Sequence, residues 1–429
     1  MQASPFPISQ LAILSKVPRY QETFEKLLKE ASEKSLEEAW ANIPLIRKAD
    51  LRERFPESFG FTREELTEMA AQQKVELERT SGTTEESVEL ILPEGWWARQ
   101  EARALSLNQR ILNTFEPDPF YDNAPMPPRR VNIVSPACNN DVSFTGVPSC
   151  QARTLGRILF VNLSRHPFLW TEEAKKQMLE ETLDFEPVFL DVDPVYGMLF
   201  ADYCRKQMVK IPSLKYIVSS YEYLSRAHRR YMREVFSVPV YNLYGSTETG
   251  HLLIEDEAGL VKLVRDNAHL EFFSLPCDEA LKECVVTTLT NPYMPLLRYR
   301  IGDLLCKRED RYRLMGRLKD SAFTRSGECV PVAWIDDAIT ISQKILHYQL
   351  IQSAEDPCRW RLDYYLRNDR GPLSELEKRL ISGNLSTFLG WDFHLEFKET
   401  DYIACEPSGK FRLVQARKDA MPAQDYLQP

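Results

Sequence analysis

Apolar positions along the chain follow two periods, and the alternation between them sets the expected architecture. From 23 to 41 and from 96 to 114 apolar residues recur every three to four positions, the spacing of one helical face. Between them, "IPLIRKADLRERFPESFGF" (43 to 61) predicts a short helix between prolines, and "VELIL" (88 to 92) predicts a strand. The Pro-rich run "PDPFYDNAPMPPRR" (117 to 130) predicts a loop. Short apolar runs then alternate with helical patterns: strands at 131–135, 157–163, 214–220 and 238–243, helices at 171–183, 194–209 and 224–235. Buried strands alternating with helices point to an α/β sheet with helices on its faces. "ECVVTTLT" (283 to 290) and "PLLRYRIGDLLCKR" (295 to 308) predict a later β-rich portion.

After Gly316 the texture changes. A helix at 331–342, strands at 346–352 and 359–367, a helix at 374–389 and a strand at 393–399 make an αββαβ unit. At about 110 residues it is long enough for a small domain of its own. The expectation is therefore a large N-terminal α/β domain with a β-rich subdomain, 1–315, followed by a small αββαβ C-terminal domain, 316–429. No internal repeat or low-complexity tract interrupts this order.

A chain of 429 residues suits two domains, and 43% hydrophobic with 11% aromatic residues is ordinary for a globular protein. The net charge of −9 argues against a nucleic-acid or anionic-membrane binder, which would need a basic footprint. The first 18 residues carry no leader pattern, and no apolar run approaches the roughly 18 residues that span a bilayer. The expected setting is cytoplasmic. Nine cysteines without a C-x-x-C pair read as reduced core thiols, and six histidines without ligand spacing give no zinc site.

Five short stretches carry candidate chemistry: "TSGTT" (80 to 84), "YNLYGSTETG" (241 to 250), "RYRIGD" (298 to 303), "GRLKDSAFTRSGECVP" (316 to 331) and "SGKFR" (408 to 412). Ser81, Gly82, Thr83 and Thr84 offer hydroxyls and backbone N–H groups of the kind that wrap polyphosphate. In the second stretch Tyr244 can stack on a flat base, Asn242 offers an amide to its edge, and Gly245 lets the backbone turn closely. Ser246 and Thr247 offer hydroxyls, and Glu248 offers one hard oxygen ligand for Mg²⁺. Asp303 has the single carboxylate that suits two ribose hydroxyls, while Arg300 would either meet phosphate or brace its loop. Read one at a time, these remain a surface loop, a turn with an ion pair, a hairpin at a domain edge and a surface lysine.

Taken in order, the five stretches resemble the adenylate-forming superfamily of acyl-CoA ligases. "IPLIRKADLRERFP" and the chain length make the closer resemblance the phenylacetate–CoA ligase branch. The resemblance implies an ATP- and Mg²⁺-dependent enzyme that turns a carboxylic acid into an acyl-adenylate and passes it to CoA. It implies that Ser220, Tyr221 and Glu222 line the adenine pocket, where the family carries Gly-Ala-Glu. Arg317 would contact ribose or phosphate, Lys319 would be the interdomain hinge, and Gly327 would line the path of CoA. Lys410 would swing onto the α-phosphate, where an ammonium offsets charge as pyrophosphate leaves.

One departure stands out. The family loop runs Ser-Gly-Thr-Thr-Gly-Lys, and here Glu85 and Glu86 replace its last two residues. The loop thereby loses a phosphate-binding lysine, and two carboxylates near a triphosphate repel it by roughly 1 kcal/mol per pair in water at about 4 Å. Two other readings therefore stay open beside the CoA ligase: an adenylating enzyme that serves a carrier-protein thiol or an amine, and a nucleotide- or acyl-binding protein without turnover. The resemblance suggests an aryl or heteroaryl acid, with 131–165 and Tyr221 to Tyr223 as pocket walls and Asn139, Asn140 and Asp141 hinting at a polar ring substituent. The expected partners are the small acid and CoA or an acyl carrier protein, with a homodimer left open.

Overall fold

The computed structural model describes residues 11–80, 87–118, 123–136, 148–309 and 311–417. At its centre lies an eight-stranded sheet. Its strands run in the order Val261–Leu263, Gly250–Glu255, Val240–Ser246, Tyr216–Ser219, Phe189–Val192, Arg130–Ile133, Ile158–Phe160 and Thr154–Leu155. The five from Val240–Ser246 to Ile158–Phe160 are parallel, and their buried residues on both faces explain the unbroken apolar runs. Helices Glu172–Phe185, Pro194–Lys206 and Arg226–Phe236 supply the crossovers. In such a sheet the carboxyl ends of the strands form the natural binding crevice.

Phe189–Val192 is central, yet the apolar pattern did not predict it, because Asp191 interrupts the run. That carboxylate is buried and accepts a hydrogen bond from Ser220 Oγ at 3.1 Å, which makes its burial tolerable. Two predicted helices are each broken in two. Ser35 forms a capping box with Glu38, so Gln21–Glu33 ends and Leu36–Ala41 begins anew. Asn108 caps Gln109–Leu112 through Ile111 N–H at 3.1 Å and donates to the Glu255 carbonyl at 2.9 Å, ending Trp96–Leu105. The expected 117–130 loop contains a short hairpin, Glu116–Asp118 with Ala124–Met126, in which Pro117 faces Pro125. Neither proline can donate to a longer ladder, so the ribbon stays two-stranded.

A four-stranded antiparallel sheet follows: His269–Leu275, Asp278–Thr288, Leu296–Arg308 and Arg311–Arg317. The N-terminal segment docks on it, with Ile46 bridging Tyr299. Beyond the turn Leu318–Asp320 come helix Val332–Ile339, strands Ile345–Gln352 and Arg359–Leu366, helix Glu375–Leu389 and strand His394–Glu399, the predicted order. A short strand, Val414–Gln415, closes this second four-stranded sheet and was not anticipated. The elements share a core that includes Ile335, Ile345, Leu350, Leu362, Ile381 and Leu385. Among the described residues no helix is long and apolar enough to cross a membrane.

Candidate active site

The loop that carries Lys410 is folded over the carboxyl ends of the central strands. Gly409 has φ +83°, and a Cβ there would lie 2.1 Å from Ser135 Oγ and 2.8 Å from the Tyr196 hydroxyl oxygen. Ser135 Oγ donates to the Ser408 carbonyl at 2.9 Å, and the Tyr196 hydroxyl lies 3.0 Å from the Gly409 carbonyl oxygen. Phe411 N–H donates to Glu222, and the Phe411 ring packs edge-on against Phe168 and Tyr196. Only glycine fits this close approach of backbone to side chains.

Lys410 thereby acts on two buried carboxyl groups. Asp193 caps helix Pro194–Lys206 through Val195 N–H at 3.1 Å. Burial drives its pKa up to about 7, while the helix N–H groups and the Lys410 ammonium hold it back. Burial and the neighbouring Asp193 push Glu222 well above the usual carboxylate range, and Lys410 again opposes the shift. A cation on this loop therefore faces two buried carboxyl groups whose ionisation burial disfavours and the ammonium favours.

The second half of the site gathers three of the motifs. Gly245 sits where the hairpin Val240–Ser246 to Gly250–Glu255 closes so tightly that a Cβ would lie 2.2 Å from the Gly250 carbonyl oxygen. Tyr244 donates its hydroxyl proton to Asp303, and Arg317 Nε donates to the other carboxylate oxygen at 3.1 Å. Asp303 and Arg317 face each other across adjacent strands, so the ladder fixes the pair. Burial raises the Asp303 pKa, and Arg317 restrains that rise. Tyr299 donates to Glu248 Oε1 at 3.0 Å. Burial alone would raise Glu248, but the Lys48 ammonium, its own backbone N–H, Arg317 and Ser246 outweigh it and bring its pKa below the ordinary value.

An ionised, half-buried carboxylate suits Mg²⁺, which usually takes one or two protein carboxylates plus substrate phosphates. Glu248 would hold it, and the ion would screen the phosphates. Among the described residues no group of three or more His, Cys, Asp or Glu could hold a metal by itself.

The remaining expected residues are placed as follows. Ser220 is buried, and Tyr221 takes φ +74°, rare for a bulky residue and worth about 1–3 kcal/mol of strain. Both donate to Asp191, at 3.1 and 3.4 Å. Asn242 is half-buried, and its backbone N–H donates to Glu255. Ser246 pairs with Thr249 at 3.0 Å, and Thr247 lies half-buried in the same turn. Arg300 is drawn away into a buried bidentate pair with Glu283 at 2.8 and 2.9 Å, so it braces the sheet. Lys319 is exposed in the turn Leu318–Asp320, and Gly327 sits in an open turn where a Cβ would meet nothing within 4 Å. Ser81 to Thr84, Glu85, Glu86 and Asn139 to Asp141 lie outside the described residues.

Sequence reasoning missed Lys48, Glu101, Arg130, Asp191, Asp193 and His251. Buried Arg130 donates to Glu101 at 2.6 Å and lies 3.8 Å from Asp191. Buried His251 stacks at a tilt on Trp97, ring centroids 4.8 Å apart, and burial lowers its pKa to about 4. Arg130 and Glu101 thereby join Asp191 in a buried polar network that reaches Ser220 and Tyr221.

Solved structures identify the fold. Over 96% of this chain and 89% of its own, a 2-hydroxyisobutyryl-CoA ligase in the postadenylation state with 2-HIB-AMP matches with a TM-score of 0.65 at 17% identity. The chain has the fold of the adenylate-forming CoA ligases. An anthranilate CoA ligase in complex with anthranoyl-AMP gives a TM-score of 0.58 at 14% identity, over 79% of this chain and 65% of that one. A benzoate CoA ligase from Burkholderia xenovorans gives 0.52 at 12%, over 76% and 66%. By sequence, the phenylacetate-coenzyme A ligase of Thermus thermophilus is 28% identical over 194 residues, 40% of this chain. That match spans 43% of the Thermus ligase, less than half its length. No family model matches the chain.

Proposed function

We propose that this chain is an ATP- and Mg²⁺-dependent acid–CoA ligase. The observation that carries the reading is the folding of the Lys410 loop over the strand ends where this fold class binds ligands, with Gly409 packed on Ser135 and Tyr196 and Phe411 N–H donating to Glu222. The Tyr244–Asp303–Arg317 triad would hold the nucleoside, Asp303 exchanging the Tyr244 proton for ribose hydroxyls. Glu248 would hold Mg²⁺ on the phosphates. Ser81, Gly82, Thr83 and Thr84 would cover them, and Lys48 would supply the cation that Glu86 removes from that loop.

In the first half-reaction the substrate carboxylate attacks the α-phosphorus, and pyrophosphate leaves. Lys410 offsets the charge that builds on the α-phosphate and the attacking oxygens. Holding acid and ATP in line contributes much of the rate through positioning. The unit from 316 onward would then rotate about Lys319 and open a path past Gly327 for CoA, whose sulfur takes the acyl group and releases AMP. The acid we favour is aryl or heteroaryl with a polar substituent, the substrate class that the family resemblance suggests.

The test is acid-dependent exchange of labelled pyrophosphate into ATP across a panel of aryl and alkyl acids. Exchange with a substituted aryl acid, followed by CoA thioester formation, is the expected result. Binding of ATP without exchange for any acid would leave a nucleotide-binding protein. Exchange without CoA consumption would move the acceptor to a carrier thiol or an amine.

A further inference from the structure

We propose that Glu222 is a positioning residue for the Lys410 loop: it shares one proton with Asp193, and that shared proton makes the seating of the loop at the strand ends depend on pH. The inference rests on the adenylation reading above and adds to it a proton that is taken up when the loop seats and released when it lifts.

Glu222 N–H donates to the Ser220 carbonyl at 2.9 Å, a tight turn that fixes Glu222 just past the end of strand Tyr216–Ser219. Phe411 N–H, one residue beyond Lys410, donates to Glu222 Oε1. Asp193 uses Oδ1 to accept from Val195 N–H at the start of helix Pro194–Lys206, at 3.1 Å. Its Oδ2 is buried and has no hydrogen-bond donor among the described residues. A buried acceptor left without a donor is costly. Glu222 is within hydrogen-bond reach of Asp193, and with Oε1 engaged by Phe411 it still has Oε2. A proton on Glu222 Oε2 donates to Asp193 Oδ2 and satisfies both oxygens at once.

Two carboxyl groups this close in a buried site do not both ionise. Burial raises Asp193 to about 7 and Glu222 well above the ordinary value, even with the Lys410 ammonium acting on both. The other groups facing the pair leave this balance in place. Glu406, on the same loop, raises Glu222 further and is itself paired with Arg412 at 3.1 Å. Burial holds the Tyr196 hydroxyl and the Cys405 thiol in their neutral forms, and Arg165 acts on Cys405. While the loop is seated, the pair therefore carries one proton and one negative charge. Lifting the loop removes the cover and admits water, which lets both groups ionise. Seating thus takes up a proton. It is favoured below about pH 7 and weakens as pH rises through the seated value.

The shared proton decides what a substitution can imitate. Glu222→Gln offers the same two contacts with no proton to lose: its carbonyl accepts from Phe411 N–H, and its amide donates to Asp193 Oδ2. It is a permanent copy of the protonated pair. Glu222→Ala makes neither contact and leaves Asp193 Oδ2 without a donor. Adenylation needs the loop seated and thioester formation does not, so the pair ties the first half-reaction alone to pH.

The test follows the full chain from pH 6 to pH 9 by two readouts. The first needs no turnover: the rate of tryptic cleavage after Lys410, divided by the rate after Arg54 in an exposed turn, reads lifting of the loop. The second is acid-dependent pyrophosphate release with the aryl acid that exchanges fastest, each protein referred to its own rate at pH 6. In the wild type, cleavage at Lys410 should rise and pyrophosphate release should fall with pH, each approaching about tenfold per pH unit for one proton. Glu222→Gln should show neither trend. Glu222→Ala should be cleaved fast at every pH. CoA consumption from supplied phenylacetyl-AMP should not decline with pH in any of the three. Either trend absent from the wild type, or persisting unchanged in Glu222→Gln, overturns the inference, and continuing pyrophosphate release leaves the adenylation reading intact. A pH-dependent cleavage that Glu222→Gln abolishes, without pyrophosphate release from any acid, does the reverse. Absence of both rejects both.

Discussion

Arg412 Nε and Asp320 Oδ1 form an ion pair at 2.9 Å that ties the loop carrying Lys410 to the turn carrying Lys319. Arg412 also reaches Glu406 at 3.1 Å, so one guanidinium serves both sides of the junction. Both partners lie in the unit from 316 onward, so the pair braces the Lys410 loop against the hinge turn of its own unit. It thereby helps shape the loop that Ser135, Tyr196 and Glu222 hold at the strand ends.

Both partners are partly exposed, so the pair is worth about 0.5–1 kcal/mol after screening. Arg412→Ala is expected to slow acid-dependent pyrophosphate release about 2–5-fold, the rate equivalent of that energy. CoA consumption from supplied acyl-AMP should not slow, because the loop's Lys410 acts only in the first half-reaction. An equal fall in both rates would show that Arg412 only supports the fold.

Lys48 reaches the site because the N-terminal segment zips onto the strand Leu296–Arg308. Ile46 N–H donates to the Arg298 carbonyl at 3.1 Å, and Arg300 N–H donates to the Ile46 carbonyl at 2.9 Å. Lys48→Ala should raise KM for MgATP about tenfold, the loss of one charge-assisted contact of about 1.5 kcal/mol. It should also release Glu248 from a cation that lowers its pKa. The carboxylate would then protonate at a higher pH, so the acid limb of the pH–rate profile should move upward. A raised KM with an unmoved acid limb would place Lys48 on phosphate alone.

A buried histidine pair makes the fold sensitive to acid. His228 Nε2 lies 3.2 Å from His347 Nδ1, joining helix Arg226–Phe236 to strand Ile345–Gln352. Burial lowers His228 to about 3, and burial with its partner lowers His347 well below the ordinary value. Unfolded histidines bind protons below about pH 6.5, whereas the folded pair does not. Stability from the pair is thus full above pH 6.5 and is lost as pH falls toward the folded values. At pH 5 the loss is about 2 kcal/mol for His228, and His347 adds to it in the same direction. Urea denaturation at pH 7 and pH 5 should show it in the wild type and not in the double variant His228→Gln, His347→Gln. The same loss in both proteins would assign the acid sensitivity elsewhere.

The order of motifs was legible because each is local: Tyr244, Gly245 and Glu248 share one hairpin, and Asp303 faces Arg317 fourteen residues on. The strands were legible where burial on both faces left no polar residue, and the pattern failed at Asp191, whose partner Ser220 lies 29 residues away. Glu222 and Phe411 are 189 residues apart, so no spacing along the chain could pair them. Lys48 looked like one charge in a polar helix, because what places it is a bridge from Ile46 to Tyr299. Helix lengths were overestimated at Ser35 and Asn108, where side chains cap a new turn while the apolar period continues.

The close packing of Gly409 gives the sharpest test of what Lys410 does. Lys410→Ala should lower acid-dependent pyrophosphate release about 10²–10³-fold, the usual effect of one preorganised charge contact. ATP affinity should change little, because Tyr244, Asp303 and Arg317 lie on other elements. Gly409→Ala keeps the lysine and should still impair the same step. Its Cβ would meet Ser135 Oγ at 2.1 Å, in a backbone conformation with φ +83° that L side chains rarely adopt, so the loop must lift. Ser135→Gly removes that oxygen and leaves the Tyr196 hydroxyl oxygen, 2.8 Å from the new Cβ, as the remaining conflict. The double variant Gly409→Ala, Ser135→Gly should therefore recover part of the rate that Gly409→Ala loses. Lys410→Ala should gain nothing from Ser135→Gly, because its backbone already fits. Throughout, CoA consumption from supplied acyl-AMP should persist in Lys410→Ala. If Ser135→Gly rescues Lys410→Ala as well as Gly409→Ala, or if the CoA step collapses along with pyrophosphate release, the loop is a structural clasp and Lys410 has no separate part in adenylation.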